Sequence, residues 1–370
     1  MDPPEIYFRL ENRWEVLSES PFNPFLYPSM HVLPDGNVFY AGSEDANAPD
    51  LIDGRLFNPG TGKNPDKLPP NSWSEKVFTS PGDANGGATV MYGPGRLMRS
   101  GGGETKIFPD GPGRPTSSTE VIDLSDPCSS FRDEDPTPAW TETAPMNFER
   151  HFHTLTVLPD GTVLASGGNS YSNGIGGGDP DGDCDEDPVP NKCYATKVAE
   201  LWDPIEQVWC PMAEQQFERM YHSIALLIPD GRVLVTGNGR RQGLVPQKNA
   251  EFFSPPYLLN LDESPRPQVA ATPTAIEYGE VFTVVLDGDS PVPASDVGRV
   301  TLISLASVTH GNNMNQRFMD LDCITPTGDP GALQTSAPKD SSIAPPGYYM
   351  LFILSKAGTP SIGKYIKVGS

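Results

Sequence analysis

A pattern of about ten residues that ends in Pro-Asp-Gly occurs three times in the chain and constrains its fold more than any other feature. The copies occupy residues 27–36, 152–161 and 221–231, and each continues into a second apolar run that ends in glycine. A degenerate fourth copy, with Gly-Pro-Gly at the turn, occupies residues 86–95. Pro, Asp and Gly suit successive positions of a tight turn. Each copy therefore predicts two antiparallel strands.

Each copy is followed by a further apolar segment, and a tryptophan often closes the unit. The segments occupy residues 55–59, 119–124, 199–204 and 250–255, with tryptophans at Trp140 and Trp209. Repeats of four short strands with a closing aromatic residue are typical of kelch-like propeller blades. We therefore predict a kelch-like β-propeller region over residues 1–260, with about four blades.

The repeat stops after residue 257, and a different series of short strands begins. Apolar runs at residues 281–286, 299–303, 348–354 and 364–368 are typical of an immunoglobulin-like β-sandwich, which we predict over residues 263–370. The chain has 37 glycines and 41 prolines in 370 residues, too many for long helices. The predicted fold class is all-β.

Charge and cysteine content restrict the classes of partner that the protein can bind and the cellular compartment in which it can be expected. A net charge of -22 argues against nucleic-acid binding, since phosphates would be repelled. The chain contains no run of 18 apolar residues, so no membrane span is predicted. Met1-Asp2-Pro3-Pro4 is not the start of a signal peptide, so a signal would lie upstream or be absent. Cys184 and Cys193 flank a polar loop: a disulfide there predicts a secreted or extracytoplasmic protein, whereas free thiols are the alternative.

An acidic loop lies inside one of the repeats. It contains Asp179, Asp181, Asp183 and Asp185 with an embedded glycine. Alternating carboxylates of this kind suit a hard cation such as Ca²⁺, although the glycine position does not match an EF-hand loop. The alternative is a solvated loop without a cation.

Three residues are candidate functional residues, namely Tyr221, His222 and His310. Tyr221 and His222 begin the third repeat copy, and adjacent strand residues point to opposite faces, so both side chains reach one point only from the loop that enters the strand. Phe152-His153, at what we take as the same repeat position, shows that such a pair can be only a repeat feature. His310 has no repeat to explain it, and the alternative for it is a solvated turn residue. His31 and His153 are interpreted as structural.

Three further motifs, in a fixed order, carry a resemblance to a known family. They are residues 219–223 (Arg-Met-Tyr-His-Ser), residues 307–311 (Ser-Val-Thr-His-Gly) followed by Asn-Gln-Arg-Phe, and residues 345–352 (Pro-Pro-Gly-Tyr-Tyr-Met-Leu-Phe). Over nearly its whole length the chain resembles the galactose oxidase and glyoxal oxidase family of copper radical oxidases. The resemblance implies a seven-bladed propeller capped by an early-set sandwich, of which this chain has about four blades.

The resemblance also implies a copper site. Residue by residue, the copper ligands would be Tyr221, His222 and His310. Tyr221 matches the axial tyrosine that takes the proton of the substrate hydroxyl, so it is also the predicted catalytic residue. The radical tyrosine of the family, cross-linked to a cysteine, lies in preceding blades and has no counterpart here. Cys128 and Cys210 fall in the wrong segments to be its partner.

Two functions follow as hypotheses. The first is an oxidase-like copper protein that converts a primary alcohol, aldehyde or carbohydrate with O₂ and gives H₂O₂; alone, this chain is expected to bind copper and oxidise little. A preceding segment or another chain is expected to complete the propeller, because open strand edges invite aggregation. The second is a non-catalytic extracellular module that binds glycans or proteins, since a propeller does not fix function.

Overall fold

A computed structural model describes most of the chain and shows that it is built from β-strands. The described residues are 3–8, 10–22, 27–42, 54–60, 68–74, 78–80, 87–103, 115–125, 139–170, 195–238, 246–261, 263–321, 325–326 and 328–369. Within these ranges the only helices are two 3-10 helices of three residues each, Pro256–Leu258 and Ala294–Asp296. The predicted all-β fold class is confirmed.

A hairpin and then four sheets follow one another along the first part of the chain. The hairpin pairs β1 (Glu5–Phe8) with β2 (Arg13–Val16). Blade 1 comprises β3 (Met30–Val32), β4 (Val38–Tyr40), β5 (Arg55–Asn58) and β6 (Ser72–Trp73). Blade 2 comprises β7 (Ala88–Gly93), β8 (Arg96–Ser100), β9 (Thr119–Asp123) and β10 (Thr141–Glu142). Blade 3 comprises β11 (Thr154–Val157), β12 (Val163–Ser166), β13 (Val198–Asp203) and β14 (Val208–Glu214). Blade 4 comprises β15 (Ile224–Leu227), β16 (Val233–Thr236) and β17 (Ala250–Phe253).

In every blade the strands lie side by side in sequence order, as expected of propeller blades. The predicted repeat forms the first two strands of each blade, and the segment after it forms the third. The hairpin β1–β2 has the sequence pattern of the outer strand pair, because Glu5 and Trp14 have the same spacing as Glu200 and Trp209 of blade 3. Trp14 is 66% exposed, whereas Trp209 is 7% exposed.

The Pro-Asp-Gly turns have the local chemistry that their sequence predicts. The three turn glycines, Gly36, Gly161 and Gly231, have φ values of 85°, 89° and 86°. In each turn the aspartate Oδ1 atom accepts a hydrogen bond from the backbone N–H two residues later, at 2.9 to 3.1 Å. The turn residues thus satisfy their own backbone and fix the register of each inner hairpin.

A glutamate in the third strand, buried in blades 2 and 3 and half-buried in blade 4, ties each of the last three blades together. Glu200 of β13 forms an ion pair with Arg150 at 3.0 Å, and both side chains are fully buried. The same carboxylate accepts a hydrogen bond from the backbone N–H of Asn147 at 2.6 Å. Glu120 of β9 and Glu251 of β17 form comparable pairs with arginines at 2.7 and 3.1 Å. The linkers that enter blades 3 and 4 are therefore anchored to the third strand of the blade they enter.

The C-terminal part forms a two-sheet sandwich. Its strands are β18 (Val269–Ala271), β19 (Ala275–Ile276), β20 (Val281–Leu286), β21 (Val297–Ser304), β22 (Phe318–Asp320), β23 (Thr325–Pro326), β24 (Ala332–Ser336), β25 (Gly347–Ser355) and β26 (Lys364–Val368). One sheet has the order β18-β20-β24-β23 and the other β19-β26-β25-β21-β22. Apolar side chains from both sheets, among them Phe282, Leu333 and Leu351, form the buried core between them.

The sandwich docks on the turn ends of blades 3 and 4. Arg299 donates a hydrogen bond to the carbonyl oxygen of Asp160 at 2.7 Å, and Arg266 donates to that of Asp230 at 2.8 Å. The close approach also requires a glycine, because a Cβ atom on Gly161 would lie 3.1 Å from the Phe318 ring. The Pro-Asp-Gly turns therefore have a second role, as the surface on which the sandwich rests.

Two further expectations concern the chain as a whole. The domain boundary between residues 260 and 263 stays a prediction, although the strands of the sandwich begin at Val269. Among the described residues, no helix has the length and hydropathy that crossing a membrane would require.

The buried ion pair of blade 3 gives a first prediction. We expect Glu200→Ala to lower the free energy of unfolding by about 3–5 kcal/mol, because Arg150 would remain buried without its partner. Urea unfolding, followed by tryptophan fluorescence, measures the change. The control is Asp296→Ala, which removes an exposed pair with Lys356 and should cost less than about 1 kcal/mol. Equal losses in the two variants would contradict the prediction.

The buried histidines of the blades give a second prediction. Burial lowers the pKa of His31 to about 3 and that of His151 to about 4. Each imidazole stays neutral in the folded chain but protonates in the unfolded chain below its ordinary pKa, about 6.5. Their contribution to stability is therefore complete above pH 6.5 and is lost as the pH falls toward 4, by about 1.4 kcal/mol per pH unit for each imidazole.

Urea unfolding between pH 7 and pH 5 measures this dependence. In His31→Gln the slope of the free energy of unfolding against pH should fall by the part that one buried histidine contributes, about 1.4 kcal/mol per pH unit. This change in slope is expected whatever the substitution does to the stability at pH 7. An unchanged slope would show that His31 is not the neutral buried group described above.

Candidate metal centre

A long loop of the sandwich runs along the first strands of the blades. It connects β21 to β22 and covers residues 305–317; we call it the β21–β22 loop. On blade 3 the Gln316 Oε1 atom accepts a hydrogen bond from the backbone N–H of Val157 at 2.8 Å. Further along, Asn313 Nδ2 donates to the carbonyl oxygen of Leu155 at 3.1 Å. The loop therefore follows β11 from its turn end back to its start.

Blade 1 holds the other side of the same loop. Ser29 Oγ donates a hydrogen bond to Asn312 Oδ1 at 2.6 Å, and Asn312 Nδ2 donates to the carbonyl oxygen of Tyr27 at 2.8 Å. The backbone N–H of Met30 lies 3.0 Å from the Met314 sulfur. Contacts on both sides fix the tip of the loop, where His310 lies.

The tip of the loop brings the three predicted ligands together. The Nε2 atoms of His222 and His310 are 2.9 Å apart. The Tyr221 ring centroid is 4.0 Å from that of His222 and 5.2 Å from that of His310. A blade and a sandwich loop that are distant in sequence thus form one cluster.

Local backbone geometry explains how two adjacent residues reach the same point. His222 has a φ of 65°, and the backbone N–H of Ser223 donates to the carbonyl oxygen of Met220 at 2.9 Å. The pair therefore lies in a turn before β15, and the strand rule of opposite faces does not apply. The prediction that the pair would have to sit in the entering loop agrees with this geometry.

The alignment of Tyr221-His222 with Phe152-His153 was wrong by one position. His222, Phe152 and Tyr27 each precede the turn proline by seven residues, and all three have positive φ values, of 65°, 58° and 55°. His222 therefore corresponds to Phe152, and Tyr221 to His151. The error arose because the third copy has one more residue between its aromatic residue and its turn. The same count from the turn would have indicated Tyr27 as a site residue.

Tyr27 is the site residue that the sequence interpretation missed. Its ring stacks on His310 with centroids 3.8 Å apart and an interplanar angle of 15°. Phe152 packs edge-on against Tyr221, with centroids 4.9 Å apart. Aromatic rings from blades 1 and 3 therefore contact the cluster that blade 4 and the loop provide.

The two remaining predicted structural histidines lie away from this cluster, between neighbouring blades. His31 Nε2 is 3.0 Å from Thr89 Oγ1, and His153 Nε2 is 3.0 Å from Ser100 Oγ. Their side chains are almost completely buried. His31 therefore bridges blades 1 and 2, and His153 bridges blades 2 and 3.

The donors of the cluster suit a copper(II) ion. Burial and the neighbouring His222 lower the pKa of His310, which keeps its imidazole neutral. His310 Nδ1 lies 2.7 Å from Thr309 Oγ1, and in the tautomer where Nδ1 donates, Nε2 has a free lone pair. Two imidazole nitrogens and one phenol oxygen are the kinds of ligand that Cu(II) prefers. His222 is exposed, so an ion has access from solvent.

The phenol oxygen matters for this assignment. Among the described residues, no group of three or more His, Cys, Asp or Glu side chains is close enough to hold a metal ion. A metal centre at the cluster therefore requires Tyr221 in addition to the two histidines.

The other predicted sites fall outside the described residues. Asp179, Asp181, Asp183 and Asp185 are among them, so the calcium site stays a prediction, as does the disulfide between Cys184 and Cys193. Cys210, in the outer strand β14, is an exposed free thiol.

Comparisons with known proteins indicate the family of the chain. Residues 266–368 match the family described as galactose oxidase-like, early set domain. A galactose oxidase of Gibberella zeae is 30% identical over 292 residues, which cover 77% of this chain and 38% of that protein. The aldehyde oxidase GLOX1 of Arabidopsis thaliana is 31% identical over 255 residues, covering 65% of this chain and 39% of that protein. The chain thus spans less than half the length of these relatives.

A solved structure shows the same fold. A fungal alcohol oxidase of the AA5 family, in complex with copper, matches 99% of this chain and 70% of its own length, with a TM-score of 0.76 and 24% identity. The early set domain and the curated relatives identify the chain as a homologue of the galactose oxidases and glyoxal oxidases.

Proposed function

We propose that the chain holds a copper ion through Tyr221, His222 and His310, as part of an oxidase of primary alcohols or aldehydes. The observation that carries the proposal is the 2.9 Å separation of the two Nε2 atoms, one from blade 4 and one from the sandwich loop. Without a metal, one Nε2–H group can donate a hydrogen bond to the other Nε2 atom, and with both Nε2 atoms unprotonated their lone pairs are available to one ion. The names of the relatives, galactose oxidase and aldehyde oxidase, support the reaction class.

The protein residues around the ion have distinct parts in this proposal. Copper would supply Lewis acidity and a one-electron redox change. Tyr221 is 7% exposed and adjoins both imidazoles, so its phenolate form would be stabilised by the ion and could take the proton of a substrate hydroxyl. His222 and His310 would hold the ion through their imidazole nitrogens. The exposed side of His222 leaves a way in for a small alcohol, an aldehyde or a carbohydrate, and for O₂.

The proposal includes a limit on activity. The printed sequence has no predicted counterpart of the radical tyrosine and its cross-linked cysteine, which in the family carry the second oxidising equivalent. This chain alone is therefore expected to bind copper and to release little H₂O₂. Radical chemistry would need a preceding segment or another chain. We also propose that the blades are of the kelch type and that the protein acts outside the cell.

A third prediction tests the ligands. The wild-type chain should bind one Cu(II), and His222→Ala and His310→Ala should each weaken binding by more than about tenfold, since loss of a ligand exceeds loss of an outer-shell partner. Metal content after dialysis and the nitrogen hyperfine pattern in electron paramagnetic resonance measure this. Cys210→Ser is the control, because it removes an exposed thiol that can also bind copper. Copper that survives both histidine substitutions would place the ion elsewhere.

A fourth prediction concerns turnover. Copper-loaded chain, assayed for H₂O₂ with primary alcohols and aldehydes, should show only traces of activity. Tyr221→Phe should not lower these traces while it alters the copper spectrum, because the proton acceptor matters only when the radical partner is present. Robust turnover by the chain alone would refute the prediction that it has no counterpart of the radical tyrosine and its cross-linked cysteine. A copper-free wild type that binds glycans would instead favour the non-catalytic module.

A further inference from the structure

We infer that Tyr27 is a positioning residue that holds the imidazole of His310 in the orientation in which it binds metal. The two rings are nearly parallel, with an interplanar angle of 15° and centroids 3.8 Å apart. Tyr27 belongs to blade 1, which supplies none of the three proposed ligands. The inference extends the proposed function by assigning a part of the centre to this blade.

The stack is supported by backbone contacts as well as by the ring. Tyr27 has a φ of 55°, a conformation that costs a residue with a side chain about 1–3 kcal/mol. Its carbonyl oxygen accepts the hydrogen bond from Asn312, and Ser29 donates to the same asparagine. These bonds hold the Tyr27 backbone against the loop that carries His310. Side chain and main chain of the same residue therefore engage this loop.

The stack restricts a rotation that would move the ligand atom. Turning the imidazole about its Cβ–Cγ bond would tilt it out of the plane of the Tyr27 ring and lose the face-to-face contact. In the stacked orientation Nδ1 faces Thr309 and Nε2 faces His222. A ligand that is already oriented loses less conformational freedom when it binds an ion. Outer-shell partners of metal-binding histidines typically change metal affinity by about 10–100-fold.

The alternative is that the Tyr27 hydroxyl acts directly, as a ligand or on a substrate. Two substitutions separate the possibilities. Tyr27→Phe keeps the aromatic ring and removes the hydroxyl, whereas Tyr27→Leu removes the ring. Positioning by the ring predicts a large effect of Leu and a small effect of Phe.

The first experiment needs no metal. The chain has five histidines, so the Cε1–H signals of ¹³C-histidine-labelled protein can be assigned with His310→Asn. In wild-type protein the His310 proton should be shifted upfield, because it lies over the face of the Tyr27 ring. The shift should persist in Tyr27→Phe and disappear in Tyr27→Leu. Asn312→Ala, which releases the loop from blade 1, should also reduce it.

The second experiment measures copper affinity in the same proteins. Tyr27→Leu should raise the Kd for Cu(II) by about 10–100-fold, and Tyr27→Phe should stay within about twofold of wild type. Trp14→Leu removes an exposed aromatic residue of the hairpin and should change neither the Kd nor the proton shift. Unchanged signals of His31, His151 and His153, which do not contact His310, verify that the blades still fold in Tyr27→Leu.

The outcomes separate the inference from the proposed function. The inference is overturned if the His310 Cε1–H signal of the wild type shows no upfield shift, or if that shift persists in Tyr27→Leu. An unchanged Kd in Tyr27→Leu also overturns it, as does an equal loss of affinity in Tyr27→Phe, which would assign the effect to the hydroxyl. The proposed function is overturned if the wild type binds no copper. If the His310 proton shift then still depends on Tyr27, the orienting role of the ring stands on that metal-free result.

Discussion

The candidate centre depends on one constraint, namely that a polar loop of the sandwich lies against the inner strands and must satisfy its hydrogen-bonding groups there. The amide side chains of Asn312, Asn313 and Gln316 make most of these bonds, to the backbone of blades 1 and 3, although the buried Asn313 Oδ1 atom has no hydrogen-bond partner within the described part of the chain. Buried polar groups without partners would cost more than the packing could return. The same bonds that make burial of the loop possible also set the position of His310.

The fold was largely predictable because its signals are local. The Pro-Asp-Gly turns follow from the conformational preferences of three adjacent residues, and the glutamate of the third strand recurs at Glu120, Glu200 and Glu251. The convergence of Tyr221, His222 and His310 was predicted through a family resemblance. Local pattern alone would not have joined His310 to blade 4, because nothing in a Thr-His-Gly segment specifies the strands against which it packs.

Tyr27 was missed for a related reason. Its role rests on a contact with a residue near the other end of the chain, and the comparison of repeat copies began from the aromatic-His pair instead of from the turn. Counted from the turn, Tyr27, Phe152 and His222 occupy one structural position, with one shared backbone conformation. A repeat fixes where a side chain projects, while the residue type at that position decides what it does. Stacking by Tyr27, packing by Phe152 and the proposed ligation by His222 are three uses of one position.

The distribution of strain fits this division of roles. Four residues of the cluster, Tyr27, Phe152, His222 and His310, have φ values between 52° and 65°, which are unfavourable for residues with side chains. Such conformations persist only where the surroundings impose them, and here the surroundings are blades with buried ion pairs and a docked sandwich. Because the proposed ligands come from blade 4 and the sandwich, and the ring that orients one of them comes from blade 1, an ion at the centre would bind most tightly when all three are in place. Its binding free energy would then stabilise the docking of the sandwich on the blades, since a ligand that binds the assembled state more tightly favours that state.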